Sequence, residues 1–269
     1  MDRLSSGLFS GLYLSHFKGR GIEFEEVREF QQGDEVRSID WNVTARMGTP
    51  YIKLFREERE LTLLLMLDIS GSMLFGSRES IKRTLLSEIA AVFAYSAIKN
   101  RDKVGLILFT DQVEHYVPPR KGVRHVLRLI RDLLAYPGKS SGTDVKRALS
   151  YLGKVQKKRA VVFLLSDFIK AGDLKNSLKV VSKRHDLIAV AVQDPLEKSI
   201  PPSPLMRVED LENGEQLLID PSSGLDLREG KREQFRTTVI KAGGSWIDVA
   251  TDAPYLPRLL RFLSSRRPH

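Results

Sequence analysis

Residues 61–269 predict a doubly wound α/β fold, a mainly parallel sheet with helices on both faces. Three observations lead there. Leu61–Asp68 (LTLLLMLD) and Ala160–Asp167 (AVVFLLSD) are nearly unbroken apolar runs, the pattern of strands buried on both faces. Strand-like and helical segments alternate, as in parallel strands joined by crossover helices. Both runs also stop on an aspartate, at the carboxyl ends of strands where open α/β sheets bind ligands.

Residues 1–60 differ in pattern from the rest of the chain. Gly19, Gly21, Gly33 and Gly48 punctuate short alternating segments, IEFEEVREF and PYIKLF, that read as strands of an N-terminal β/irregular segment. Between them lies GDEVRSIDWNVTAR. Here Asp34, Arg37, Asp40 and Arg46 could pair with one another, and Trp41 could fasten irregular chain onto the main domain. After the first buried strand, Ser80–Asn100 carries Ile81, Leu85, Ile89 and Val92 at helical spacing, with Ala90, Ala94 and Ala97 allowing close approach to the sheet. DKVGLILF is a second strand, and EHYVPP a short edge strand ended by prolines. Val123–Tyr136 and Asp144–Gly153 read as helices. Beyond the second apolar run, Asp173–Arg184 is helical and HDLIAVAVQD (185–194) is a strand.

The alternation then breaks. Pro195, Pro201, Pro202 and Pro204 mark a loop, and Asn213-Gly214 between alternating segments signals a hairpin, so about 195–224 is an excursion from the core. Leu225–Ala242 resumes a helix and SWIDVAT (245–251) a strand. Pro254–Arg266 is a closing helix with Arg258, Arg261, Arg266 and Arg267 opposite Leu256, Leu259, Leu260 and Leu263.

Composition narrows the function classes. A length of 269 residues suffices for a substantial core, and 42% hydrophobic with 29% charged residues describes an ordinary globular protein. The chain has no cysteine, which excludes disulfides, thiolate catalysis and zinc-thiolate sites and fits a reducing compartment. No apolar run reaches the roughly 18 residues of a membrane span, and Leu8–Phe17 lacks signal-peptide architecture. The expected location is cytoplasmic. A net charge of +9 suggests acidic partners, but the basic residues are scattered and no nucleic-acid recognition motif accompanies them.

The candidate site begins where the first apolar run ends. Asp68, Ser70 and Ser72 (DISGS) offer hard oxygen donors around Gly71, which lets the loop bend sharply. If the two apolar runs are neighbouring parallel strands, Asp167 emerges beside Asp68. Thr143, in SSGTDVKRAL, opens a helix and could add a third hydroxyl. Each residue has an ordinary alternative: Thr143 as a helix N-cap, the serines as turn formers, either aspartate satisfied by backbone. Together they form an all-oxygen set suited to Mg²⁺, with Mn²⁺ or Ca²⁺ as alternatives. Two carboxylates leave the cation a position for water or a partner's Asp or Glu.

DISGS, GTD and LLSD together resemble the metal-ion-dependent adhesion site of von Willebrand factor A domains. The resemblance implies that Asp68, Ser70, Ser72, Thr143 and Asp167 hold the cation and that a partner carboxylate completes its shell. It also implies a doubly wound sheet with one short antiparallel edge strand. The N-terminal GRGIEFEEVREFQQGDEVRSIDWNVTAR followed by YIKLFREERE is similar to the signature of the bacterial "domain of unknown function 58" proteins. Its GD-x-x-R-x-IDW core is intact from Gly33 to Trp41; Met47 stands where relatives commonly have threonine. Many relatives carry membrane-spanning helices ahead of this region, whereas this sequence shows no such run, so a membrane role is not expected to carry over. Family members are often encoded beside MoxR-type AAA+ ATPases, which implies an adaptor role in an ATPase-driven, chaperone-like system. It also directs Asp34, Arg37, Asp40 and Trp41 toward a dedicated role, either in folding or as a partner-binding surface.

The sequence therefore predicts a non-enzymatic, divalent-cation-dependent protein-binding module. The alternative is a metal-dependent phosphohydrolase using Asp68 and Asp167. Against it, no motif places a catalytic base, none of the five histidines lies in a metal or triad pattern, and DISGS lacks the glycine of a nucleophile elbow. The sequence has no glycine-rich phosphate loop with G-K-S/T, so any ATPase would be another chain.

Overall fold

The computed structural model describes residues 23–56, 61–77, 81–169, 173–212, 214–226 and 230–265. They divide into two compact units, before and after residues 57–60. In the first, β1 (Glu23–Glu29) and β2 (Tyr51–Arg56) pair antiparallel, with α1 (Trp41–Met47) between them. The two strands read from alternation are present. The chain around Trp41, expected to be irregular, is instead a helix. Asp40 caps it by accepting hydrogen bonds from the backbone N–H of Asn42 and Val43, and Gly48 ends it in the left-handed region at φ 77°.

The second unit is built on β3 (Thr62–Asp68), α2 (Lys82–Lys99), β4 (Lys103–Phe109), β5 (Val113–Arg120), α3 (Val123–Ala135), α4 (Val145–Val155), β6 (Val161–Ser166), α5 (Lys175–Arg184) and β7 (Asp186–Gln193). After an excursion it closes with α6 (Gly230–Lys241), β12 (Ser245–Ala250) and α7 (Leu256–Ser265). The sheet order is β12-β7-β6-β3-β4-β5, parallel except for β5, which runs antiparallel on the edge beside β4. That edge strand, expected over EHYVPP, extends on both sides of it. Its two prolines fit because an edge strand has one side free of ladder bonds.

Period two explains both faces. Leu63, Leu65 and Leu67 of β3 point to one side, where α2, α3 and α7 bring Leu85, Ile89, Phe93, Leu129, Leu133, Leu259 and Leu263. Leu64 and Met66 point to the other, where α4, α5 and α6 bring Leu149, Leu152, Leu178, Val181, Phe235 and Val239. With helices on both sides, the central strands have no wet face, which is why their sequences show no alternation.

The excursion is more ordered than a proline-rich loop. β8 (Ser199–Ile200) pairs antiparallel with β11 (Leu225–Asp226) at its root, and β9 (Met206–Glu209) pairs with β10 (Gln216–Ile219) above it. The expected hairpin is there, but residues 210–215 connect its strands rather than a two-residue turn. Gly214 takes φ 74°, and Asn213 lies outside the described residues. The helix expected from Leu225 does not begin there. Leu225 and Asp226 pair with Ile200 and Ser199, and α6 starts at Gly230. Leu8–Phe17, Gly19, Gly21, Arg266 and Arg267 also lie outside the described residues.

Candidate metal centre

Strand order reverses at β3. The chain first builds outward through β4 and β5, then returns to lay β6, β7 and β12 on the opposite side. The crevice at the carboxyl ends of β3 and β6 is therefore the topological switch point, where two connections diverge and leave room for a ligand. In register, Leu67 of β3 faces Leu165 of β6, so Asp68 emerges beside Ser166 and Asp167.

Asp68 is fully buried and surrounded by donors. Its Oδ1 accepts from the Ser70 backbone N–H at 2.9 Å, and its Oδ2 accepts from Ser166 Oγ at 2.7 Å. Thr143 Oγ1 lies 3.3 Å from each carboxylate oxygen, and Ser70 Oγ is 3.3 Å from Ser72 Oγ. Burial pushes the Asp68 carboxyl up to about 7, and the adjacent Asp167 charge adds to the rise. The structure thus brings Asp68, Ser70, Ser72, Thr143 and Asp167 to one place. They arrive from three separate segments.

Thr143 does not cap the following helix. That role belongs to Asp144, whose side chain accepts from the Arg147 N–H at 2.9 Å. The Thr143 hydroxyl is free to face Asp68. Its loop is held from both sides, because Asp144 N donates to Thr110 O (3.0 Å) and Gly71 N donates to Ser141 O (2.7 Å).

Sequence reasoning missed three residues. Lys82, with no exposed side-chain surface, donates to Asp167 Oδ2 at 2.7 Å and also to Glu197. Burial works against its ammonium, but the two carboxylates more than restore it and hold its pKa above the usual lysine range. The available signal was position: Lys82 lies on the same helical stripe as Leu85, Leu86 and Ile89, where a charge needs a buried partner. Ser166, the third, was visible only as the residue before Asp167. Phe168, next in the chain, takes the left-handed φ of 58° and is held by its N–H bond to Ser166 Oγ and by rings of Phe235 and Trp246, with centroids 4.7 and 5.2 Å away. A non-glycine residue in that region stores strain, and here it turns the chain directly beyond Asp167.

The donor set suits a hard divalent cation. Asp68 and Asp167 would supply charge, Ser70, Ser72 and Thr143 would supply neutral oxygens, and a cation would relieve the burial of Asp68 beside a second carboxylate. Among the described residues, no three histidine, aspartate or glutamate side chains gather where they could hold a metal, at this site or elsewhere, so its donor set is two carboxylates and three hydroxyls.

The other candidate residues lie in the first unit. The expectation that Asp34, Arg37, Asp40 and Arg46 partner one another needs correction. Asp34 forms a two-pronged ion pair with Arg28 of β1, at 2.7 and 2.8 Å, and Asp40 pairs with Lys53 of β2 at 3.0 Å. The Arg28 guanidinium holds the Asp34 carboxyl below its ordinary range, as the Lys53 ammonium does for Asp40. Pairing follows the strand register, which places both cations beside the connecting chain. Arg37 is exposed, and Trp41, at 68% exposure, presents its indole to solvent.

A family model described as "Protein of unknown function DUF58" matches residues 26–240. The chain belongs to the DUF58 family. An uncharacterized protein of Mycobacterium tuberculosis is 28% identical to this DUF58 chain over 268 residues, covering 97% of it and 84% of the relative. Among solved structures, the conserved hypothetical protein BatB from Bacteroides thetaiotaomicron is similar in fold. Its TM-score is 0.53 at 14% identity, with 77% of this chain and 98% of that one covered. An aerotolerance-related membrane protein from Bacteroides fragilis has a TM-score of 0.54 at 16% identity, with the same shares covered. A von Willebrand factor type A structure from Catenulispora acidiphila gives 0.49 at 12% identity over 80% of this chain and 43% of that one. In this DUF58 protein, no helix among the described residues is long and apolar enough to cross a membrane.

Proposed function

We propose that this DUF58 protein is a non-enzymatic, divalent-cation-dependent protein-binding module. Asp68, Ser70, Ser72, Thr143 and Asp167 would be its metal ligands. The observation that carries the reading is the convergence of two carboxylates and three hydroxyls at the switch point of the sheet. Mg²⁺ is the expected ion, with Mn²⁺ or Ca²⁺ able to use the same hard oxygens. When bound, the cation supplies an electrophilic position for a carboxylate from another protein. Asp68 and Asp167 would balance its charge, and the serine and threonine hydroxyls would orient it. The reading extends to an adaptor working in the cytoplasm with a MoxR-type AAA+ ATPase, supported by the family's N-terminal signature around Asp34, Arg37, Asp40 and Trp41.

Two measurements test this. Mg²⁺ is expected to raise the melting temperature, EDTA to reverse the rise, and Asp68→Ala to abolish it. Unchanged melting in all three sinks the metal site. Affinity capture from native lysate with and without Mg²⁺ then tests the partner, and recovery of an AAA+ protein only with the cation is the expected result. Phosphatase turnover lost in Asp167→Ala would instead favour a hydrolase.

A further inference from the structure

The excursion between β7 and α6 meets the candidate metal loop at two levels. At its tip, the Leu211 carbonyl oxygen would lie 2.0 Å from a Cβ built on Gly71, so the hairpin backbone presses directly on the middle of DISGS. Beside that contact, Ser141 Oγ donates to the Glu212 carbonyl at 2.7 Å, while Ser141 O receives the Gly71 N–H. At its root, Lys82 joins Asp167 to Glu197, and Asp194 accepts from the backbone N–H of Ser77 (2.9 Å) and the hydroxyl of Thr251 (2.6 Å). The backbone that carries Ser70 and Ser72 is thus the same backbone that receives the hairpin tip.

We infer that the hairpin 206–219 is coupled to the metal site: cation binding and hairpin docking stabilise each other through Gly71 and Ser141. The inference rests on the proposed metal site and adds its regulation. The argument is linkage. A cation held by Ser70 and Ser72 fixes the loop on which Leu211 rests, and a docked hairpin holds the loop in its ligating shape. Each event favours the other by the same factor. β10 of the same hairpin carries Leu217 and Leu218, both largely exposed, so a change in hairpin docking would move an exposed apolar surface.

The test uses the full chain and Mg²⁺ alone. Hydrogen exchange is measured with and without Mg²⁺, and backbone amides of 206–219 are expected to gain protection together with those of 68–77. Protection of 68–77 without change in 206–219 overturns the coupling and leaves the metal site standing. Protection nowhere, with no calorimetric heat of Mg²⁺ binding, removes the metal site and the coupling with it. A second variant replaces 205–219 by two glycines, a short link because Ser203 N already bonds Pro221 O at 3.1 Å. Mg²⁺ affinity of this variant is expected to fall about fivefold or more. Ser141→Ala, which spares every proposed ligand, should shift affinity in the same direction by less. Unchanged or tighter binding in the excised variant contradicts the inference.

Discussion

Asp68 and Lys82 carry opposite charges into the same dry space. Asp68→Asn keeps an acceptor for the Ser70 N–H but removes the charge a cation needs. The variant should melt normally without metal and lose the Mg²⁺-dependent rise. For the native chain that rise corresponds to about 2.7 kcal/mol at a Mg²⁺ concentration 100 times the Kd. Lys82→Met should act differently. It leaves Asp167 and Glu197 without their shared ammonium, and breaking such a buried pair costs about 3–5 kcal/mol in urea unfolding. A loss under 1 kcal/mol would show that the pair is not desolvated as the structure has it.

At the scale of elements, α4 separates two roles that adjacent residues could exchange. Asp144→Ala removes the N-cap and should cost about 1 kcal/mol of stability while leaving the Mg²⁺ response intact. Thr143→Ala should do the reverse, with little loss of stability and a smaller Mg²⁺-induced rise in melting temperature. Melting curves of both variants with and without Mg²⁺ check this, and equal behaviour would mean that Thr143 has no separate task. The strands were legible because β3 and β6 advertise burial on both faces, and α2 because Leu85 and Ile89 recur at helical spacing. β11 was not, because two residues hold no periodicity and become a strand only through Ile200 and Ser199, 25 and 27 positions away (225 − 200, 226 − 199). The partners of Asp34 and Asp40 were hidden for a related reason: Arg28 and Lys53 are set by the register between β1 and β2, not by proximity within GDEVRSIDW. Of the candidate site, the aspartates could be read from the ends of buried runs. Thr143 could be read either as a third hydroxyl or as a helix N-cap, a choice that needed the position of Asp144, and Lys82 needed the tertiary fold.

The molecule as a whole buries a base that has no hydrogen-bonded partner among the described residues. His185 is 2% exposed, and neither ring nitrogen meets an acceptor or donor there. Burial lowers its pKa from 6.5, with Arg184 and Arg159 adding to the effect. A base depressed in this way favours the folded state fully above pH 6.5, and its contribution is lost as pH falls below that value. Global stability in urea should therefore decline on acidification less steeply in His185→Leu than in the native chain. Asp68, raised toward 7, acts in the opposite sense over the same range but equally in both proteins, so the difference between the two curves isolates His185. Parallel curves would remove the histidine from the account.

The reversal of strand order at β3 also has a kinetic meaning. Thr143 meets Asp68 across 75 positions of sequence and Ser166 meets it across 98, so no short fragment of nascent chain can assemble that carboxylate's surroundings. Such distant closures come late in folding. On the proposed reading, a half-made copy would therefore be deaf to a divalent cation, and a partner docking through such an ion would be checking, by the same act, that the chain it meets is finished.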